Sequence, residues 1–134
     1  MATKIYVNLP VKDLAVSKDF FAGLGFSFDP RFADENMECM LIGEDSFVML
    51  QAEPYFRTFT KKDVADAGSV TEVIVALGAE SRERVDDMVD AALASGGRPS
   101  KDTLDLGFVY TRAFEDLDGH LWEATYLDPS ALQA

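Results

Sequence analysis

Along the first half of the chain, the apolar positions change from the two-residue period of a strand to the longer period of a helix. Residues 5–9 alternate as a strand that Pro10 closes. A helix is predicted over residues 14–25, because apolar residues recur every four positions and a glycine ends the pattern. Those residues are Val16, Phe20 and Leu24, and strand signals at 27–28, 38–42 and 47–51 follow them.

The second half of the chain repeats this order of elements. A strand signal at residues 72–77 precedes a helix predicted over residues 81–96, with Ser81 as its N-cap. Its apolar residues are Val85, Val89 and Leu93, and strand signals near Arg98, at 108–113 and at 121–126 follow. The apolar helix residues are offset by 69 positions between the halves and the first strands by 66. The repeat predicts a duplicated β-α-β-β-β module.

The two modules are expected to span residues 1–54 and 70–134 and to form one compact domain, the second module ending in a short tail. Residues 55–69 are predicted to be an exposed linker, because they contain Lys61 and Lys62 and a turn signal at Ala67-Gly68.

The last strand signal follows a hairpin turn at Asp118-Gly119. Successive side chains of a strand point to opposite faces, so Glu123 is predicted to lie opposite Trp122 and His120. Because apolar residues surround Glu123 in sequence, we expect it to line a cavity or bind a ligand. The alternative is a solvent-facing carboxylate paired with Arg112 or another cation. His120, the only histidine, is interpreted as a structural residue of the turn.

Composition excludes several classes of partner. The chain has 134 residues, enough for one domain with a substantial core. Its net charge of -12 argues against binding to nucleic acid or to an anionic membrane. Cys39 is the only cysteine, so neither a disulfide nor a thiolate metal cluster is expected within the chain, and it is interpreted as a core residue. No secretion signal or membrane-spanning run is recognised, so a cytoplasmic protein is expected.

Three sequence motifs carry a resemblance to a known family. They are residues 8–14 (NLPVKDL), residues 20–26 (FFAGLGF, similar to FYxxLGF) and residues 116–123 (DLDGHLWE, similar to DPDGHxxE with Leu117 in place of proline). With the repeated module, they resemble the vicinal oxygen chelate superfamily, which includes glyoxalases, bleomycin and fosfomycin resistance proteins and extradiol dioxygenases. The resemblance implies an α+β fold, in which the modules form a cupped, half-barrel mixed sheet around a central cavity, and a homodimer.

The resemblance also implies metal ligands on the first and last strands of both modules. These positions fall on Tyr6, on Leu50 or Gln51, on Glu72 and on Glu123. Without histidine, a zinc or iron site is not supported, and the phenol of Tyr6 is a poor ligand. Glu72, Gln51 and Glu123 could hold Mg²⁺ or Mn²⁺ weakly, or the site holds no metal. The alternatives are a solvated strand start for Glu72 and an ordinary hydrogen-bonding residue for Gln51.

Aromatic and polar residues on the predicted strands indicate what such a cavity would bind. Tyr6 and Asn8 share one strand face, and Tyr110 and Arg112 share another. All four are expected to line the cavity, where Arg112 would orient an anionic substrate or neutralise Glu123.

Three functions stay open at this point. The first is a metal-dependent lyase or isomerase of the glyoxalase type, in which Glu72 or Glu123 moves a proton. The second is a metal-free protein that sequesters an aromatic or cationic small molecule, which the net charge of -12 favours. The third is a metal-free enzyme or binder of another metabolite. Dioxygenase activity is not supported, because non-haem iron requires two histidines.

Overall fold

Each half of the chain forms its own sheet with one long helix packed against it. The structure is a computed structural model that describes residues 3–132. It divides into a first unit, Met1–Val64, and a second unit, Ala65–Ala134, with the boundary inside the predicted linker. The start of that linker has secondary structure. A short helix, Glu53–Phe56, runs into it, and a 3-10 turn, Arg57–Phe59, follows.

The first unit has the predicted β-α-β-β-β order. Its elements are β1 (Ile5–Val11), α1 (Leu14–Gly23), β2 (Ser27–Phe28), β3 (Met37–Leu41), β4 (Ser46–Ala52) and the short α2 (Glu53–Phe56). The strand order is β1-β4-β3-β2, in which β1 runs parallel to β4 and the other pairs are antiparallel. The sheet is therefore mixed, with β1 as one of its edges.

The second unit repeats this topology with one additional short strand. Its elements are β5 (Ile74–Ala79), α3 (Arg82–Ala94), β6 (Arg98–Pro99), β7 (Leu104–Asp105), β8 (Val109–Glu115) and β9 (Leu121–Leu127). The strand order is β5-β9-β8-β6, and β7 pairs with β8. Here β5 runs parallel to β9 as β1 does to β4, so the two sheets have equivalent edges.

The predicted α+β class is confirmed, and neither sheet closes into a barrel. The central cavity that the resemblance implies stays a prediction. No helix within residues 3–132 combines the length and the apolar character that crossing a membrane requires.

Two predicted strand boundaries are wrong. Pro10 does not close β1 but lies within it, opposite Gln51, which an edge strand permits because one side of its backbone needs no partner. The strand predicted at residues 72–77 begins only at Ile74, because β9 begins at Leu121, opposite Ile74, and offers nothing for earlier residues to pair with.

The helix N-caps give the correct offset between the modules. Asp13 caps α1 by accepting a hydrogen bond from Val16 N, and Ser81 caps α3 by accepting one from Arg84 N. Counted from these caps, the modules are offset by 68 residues. Tyr6 and Ile74 both lie seven residues before their caps, so Ile74, and not Glu72, is the equivalent of Tyr6.

Each helix buries one side against its sheet. In α1 the buried residues are Ser17, Phe20 and Phe21, whereas Val16, predicted to be apolar contact surface, is 49% exposed. The side chain at position 17 takes its place, because the buried stripe runs through Ser17 and Phe21, four positions apart. In the second unit, Val85 and Val89 are buried as predicted.

Candidate functional site

The alternating residues of β1 and β4 that point away from α1 form a surface that we call the first open face. It consists of Tyr6, Asn8, Phe47, Met49 and Gln51. The intervening residues, such as Leu9, Val48 and Leu50, are buried on the helix side. Strand alternation therefore places Tyr6 and Asn8 on one face, as predicted from the sequence.

Tyr6 supplies aromatic surface to the first open face. Its ring stacks on that of Phe47 with a centroid distance of 4.8 Å and an interplanar angle of 13°. Tyr6 is 51% exposed, so one side of this stack remains open to solvent. The arrangement presents a flat aromatic surface.

Gln51 occupies the opposite end of the first open face. Its Nε2 donates a hydrogen bond to Asn8 Oδ1 at 3.1 Å. Its Oε1 is buried and has no hydrogen-bond partner among the described residues. Because Leu50 is fully buried on the helix side, the ligand position left open between Leu50 and Gln51 falls on Gln51. Gln51 pairs with Pro10, about 13 Å along the strand from the position of Tyr6, so Gln51 and Tyr6 do not form a ligand pair.

Cys39 also lies on this side of the sheet, opposite Met49 on the neighbouring strand. It is almost fully buried, as predicted for a small core residue. Burial raises the pKa of its thiol, so Cys39 is a poor nucleophile at neutral pH.

In the second unit, Glu123 lies on the sheet face opposite α3, which we call the second open face. Trp122 and Ala124, on either side of it, are fully buried on the helix side, so the predicted alternation is confirmed. Glu123 is paired with Lys101, whose Nζ lies 2.6 Å from Glu123 Oε2. The cation that neutralises Glu123 is therefore not Arg112. Lys101 lies 22 residues away from Glu123, between β6 and β7, where no periodic pattern in the sequence indicates its position.

Tyr110 and Arg112 share a face, as predicted, but it is the face that packs against α3. Tyr110 OH donates to Asp86 Oδ1 at 2.6 Å. Arg112 Nη1 lies 2.9 Å from both Asp86 Oδ1 and Asp90 Oδ1. The prediction that Arg112 neutralises Glu123 is wrong, because the two side chains are on opposite sides of the sheet. Tyr110 and Arg112 connect β8 to the helix instead of joining Glu123.

These contacts make the attachment of α3 sensitive to pH. The hydrogen bond from Tyr110, with further contributions from Arg112, lowers the pKa of Asp86 below its usual 3.8. A carboxyl whose pKa is lowered by folding stabilises the fold above its unfolded pKa, and this contribution is lost as pH falls through the folded pKa.

We expect Tyr110→Phe to lower the free energy of unfolding by about 0.5–1 kcal/mol at neutral pH, because one hydrogen bond to a partly exposed carboxylate is lost. The difference from the wild type should shrink towards zero as Asp86 becomes protonated in acid. Urea unfolding as a function of pH measures this difference. Tyr126→Phe is the matched control, since Tyr126 pairs with Tyr110 across the strands. A Tyr110→Phe deficit that persists unchanged in strong acid would contradict the role of Asp86.

Glu72 lies outside the sheet. It occupies an exposed bend before β5, as the alternative of a solvated residue predicts, and Ile74 holds the strand position assigned to it. Within residues 3–132, no group of three or more histidine, cysteine, aspartate or glutamate side chains is arranged to hold a metal ion. The donor set at the four positions that the resemblance implies is a poor fit for a metal, because Tyr6 is stacked on Phe47 and Ile74 has no donor atom. Glu123 is the single carboxylate among them and is paired with Lys101, and Gln51 contributes only the neutral oxygen Oε1.

Asp116 organises the turn that carries β8 into β9. Its Oδ1 accepts hydrogen bonds from the backbone N–H groups of Asp118 and His120, and its Oδ2 accepts one from Trp122 Nε1 at 2.9 Å. Burial raises the pKa of this carboxyl, while His120 and the hydrogen bonds act in the opposite direction. Most residues of the DLDGHLWE motif therefore form or stabilise the turn. Glu123 follows the turn and lies on the second open face.

Comparisons with known proteins identify the same fold. A family model described as bleomycin resistance protein-like N-terminal matches residues 3–43. A hypothetical protein, SA1046 from S. aureus, is 28% identical with a TM-score of 0.79, over 94% of this chain and 95% of that chain. No curated protein matches the chain in sequence.

Two further solved structures have names that indicate an activity class. One is a glyoxalase/bleomycin resistance protein/dioxygenase family enzyme from Burkholderia phytofirmans, 16% identical with a TM-score of 0.75, over 94% of this chain and 99% of that chain. The other is the fosfomycin resistance protein FosX from Listeria monocytogenes, 18% identical with a TM-score of 0.68, over 97% of both chains. At these identities the likeness is one of fold.

Proposed function

We propose that this chain is a member of the vicinal oxygen chelate superfamily and that it binds a small organic molecule without the help of a metal ion. The observation that carries the proposal is the Tyr6–Phe47 stack on the first open face. It places an exposed aromatic surface where the resemblance implies a metal ligand.

The first open face has the chemistry of a site for an aromatic ligand. Stacked rings bind flat apolar groups through dispersion and burial of apolar area, and Met49 beside them offers an adaptable apolar contact. Asn8 is exposed; its Oδ1 accepts from Gln51 Nε2 and its Nδ2 donates to Tyr6 O, and the second lone pair and second N–H of this amide could orient a polar substituent. An apolar surface with a few polar groups is the usual composition of a small-molecule site.

The lyase or isomerase alternative has weaker support from the side chains. It requires a proton-transfer group that acts together with a metal, and neither candidate is placed for this role. Glu72 lies in an exposed bend outside the sheet, and Glu123 belongs to no group of three or more histidine, cysteine, aspartate or glutamate side chains within residues 3–132 that could hold the metal. A metal-independent binding protein, of the kind that sequesters a drug, requires neither residue to act as a base.

The proposal predicts that Tyr6→Ala weakens binding of an aromatic probe about tenfold, because about 1–1.5 kcal/mol of stacking is lost. N-phenyl-1-naphthylamine is a suitable neutral probe, and its fluorescence can be titrated with EDTA-treated protein. Tyr6→Phe should bind nearly as well as the wild type, since it keeps the ring. Phe59→Ala is the control, because Phe59 is an exposed aromatic residue of the first unit outside the sheet.

The same preparation tests metal independence. Elemental analysis of protein purified without chelator should find no stoichiometric zinc, nickel or iron, and EDTA should leave the affinity for the probe unchanged. One tightly held equivalent of such a metal, lost on Glu123→Ala, would overturn the proposal and favour the glyoxalase alternative. Equal affinity of Tyr6→Ala and the wild type would remove the first open face from the site.

A further inference from the structure

We propose that the Glu123 carboxylate is the binding site for the cationic group of a ligand, and that Lys101 occupies this site while the ligand is absent. The inference goes beyond the proposed function, since it concerns the second unit by itself, whereas the Tyr6–Phe47 stack lies in the first unit. The Lys101 ammonium pairs with Glu123 in the free protein, and the cationic group of a ligand would pair with Glu123 in the complex.

The two partners of this ion pair differ in how firmly they are held. Glu123 lies within β9, between β5 and β8, and its side chain is only 17% exposed. Lys101 lies in the segment between β6 and β7, and its side chain is 50% exposed. The carboxylate is therefore fixed by the sheet, whereas the long lysine side chain can leave without disturbing a strand. An ion pair with one partner so exposed is weak, so a competing cation can displace it.

The strands beside Glu123 leave room for a substituted ammonium group. Its direct neighbours across the sheet are Ala76 on β5 and Ala113 on β8. The next residue of β5 on this face is Gly78, where an added Cβ would meet no atom within 4 Å. Ala76 and Gly78 are exposed, so the β5 side of Glu123 has room for a group larger than the lysine ammonium once Lys101 has left, whereas Ala113 on the β8 side is buried.

The charge of the protein favours a cation at this site over an anion. The chain carries a net charge of -12, which raises the local concentration of cations and lowers that of anions. An anion that approached Lys101 would also meet Glu123 within an ion-pair distance, so its attraction to the ammonium would largely be cancelled. A cation that replaces Lys101 meets the carboxylate alone and releases the lysine to solvent.

Displacement makes Lys101 a competitor of the ligand. The apparent affinity of a cation is reduced by the fraction of molecules in which Lys101 occupies the site. Removing the lysine charge should therefore strengthen cation binding about threefold to tenfold. This is the range expected when a partly exposed ion pair is abolished together with the repulsion between the Lys101 ammonium and the ligand cation. Removing the Glu123 charge should have the opposite effect.

Matched probes and variants test this inference. The probes are phenethylammonium, 2-phenylethanol and 3-phenylpropionate, which share a phenyl group and differ in charge. Their affinities for the full chain are measured by calorimetric titration at low ionic strength. We expect Lys101→Met to bind phenethylammonium about threefold to tenfold more tightly than the wild type and Glu123→Gln to bind it about tenfold more weakly. Binding of 2-phenylethanol should be the same in all three proteins.

Lys61→Met is the matched control, because it removes the same charge from an exposed position and should not show this gain. Carbon NMR of the Lys101 side chain gives a second readout, in which saturating phenethylammonium should shift the Lys101 signals of the wild type to those of Glu123→Gln. This measurement depends on displacement of the lysine and not on the stability of a variant.

Three results would overturn the inference. If 3-phenylpropionate binds best and Lys101→Met abolishes its binding, Lys101 itself is an anchor for anions. If phenethylammonium binds equally well to all variants, the ion pair has a structural role only, and the proposed function stands when the Tyr6-dependent probe still binds. If phenethylammonium does not bind the wild type, the inference fails, whereas the proposed function fails only if N-phenyl-1-naphthylamine does not bind.

Discussion

Asp116→Ala is expected to lower the free energy of unfolding by about 3 kcal/mol. The Asp116 carboxylate accepts hydrogen bonds from the backbone N–H groups of Asp118 and His120 and from the indole N–H of Trp122, which is fully buried. Alanine would leave that N–H without a partner in the core, which costs about 1–3 kcal/mol, and would release two backbone N–H groups of the turn. Burial of the Asp116 carboxylate raises its pKa, which shows that burying this charge costs free energy in the wild type. Removing that cost offsets only part of the loss.

Urea unfolding followed by Trp122 fluorescence measures the change. Asp102→Ala is the control, because Asp102 is exposed in the segment between β6 and β7 and its loss should change stability by less than about 0.5 kcal/mol. Asp116→Asn should fall between the two, since an amide oxygen keeps one acceptor in place. Equal stability of Asp116→Ala and Asp102→Ala would show that the turn is held by other contacts.

Gly119→Ala is expected to cost about 3 kcal/mol as well, for a different reason. Gly119 has φ of +92°, which side chains other than glycine rarely adopt. A Cβ at this position would lie 2.7 Å from the backbone oxygen of Ala67 and 2.9 Å from Gly68 Cα. Because these are backbone atoms, the clash can be relieved only by moving the segment that precedes β5 away from the turn.

The matched control is Gly23→Ala, at the last position of α1. An added Cβ there meets nothing within 4 Å, so the substitution should raise stability by about 0.5–1 kcal/mol through the higher helix propensity of alanine. Thermal unfolding of both variants should therefore show shifts of opposite sign. A Gly119→Ala protein as stable as the wild type would mean that the Ala67 segment is not packed against the turn.

The order of elements could be predicted from the sequence because it depends on local periodicity. The strand and helix periods identified both modules, and the alternation along β9 placed Glu123 opposite Trp122. The position of Glu72 could not be predicted in this way, since residues 72 and 73 continue the pattern of β5. Only the start of β9 at Leu121 determines where pairing begins.

The contact partners of the candidate site residues could not be predicted, because they are set by tertiary contacts that local periodicity does not indicate. Alternation showed that Tyr110 and Arg112 share a face but not that α3 covers it. The signal in the sequence is the apolar Phe114, two residues further on the same face, which the structure shows to be fully buried. Lys101 reaches Glu123 from an irregular segment, so only the folded chain reveals that pair.

The hydrogen bonds of Asp116 also bear on the order of events in folding. They join residues at most six positions apart, so the β8–β9 hairpin closes with little loss of chain entropy. By contrast, β1 meets β4 only after Ile5 and Ser46, some forty residues apart, come together. We therefore expect the hairpin of the second unit to belong to the folding nucleus, while the sheet of the first unit, with its aromatic surface, assembles later.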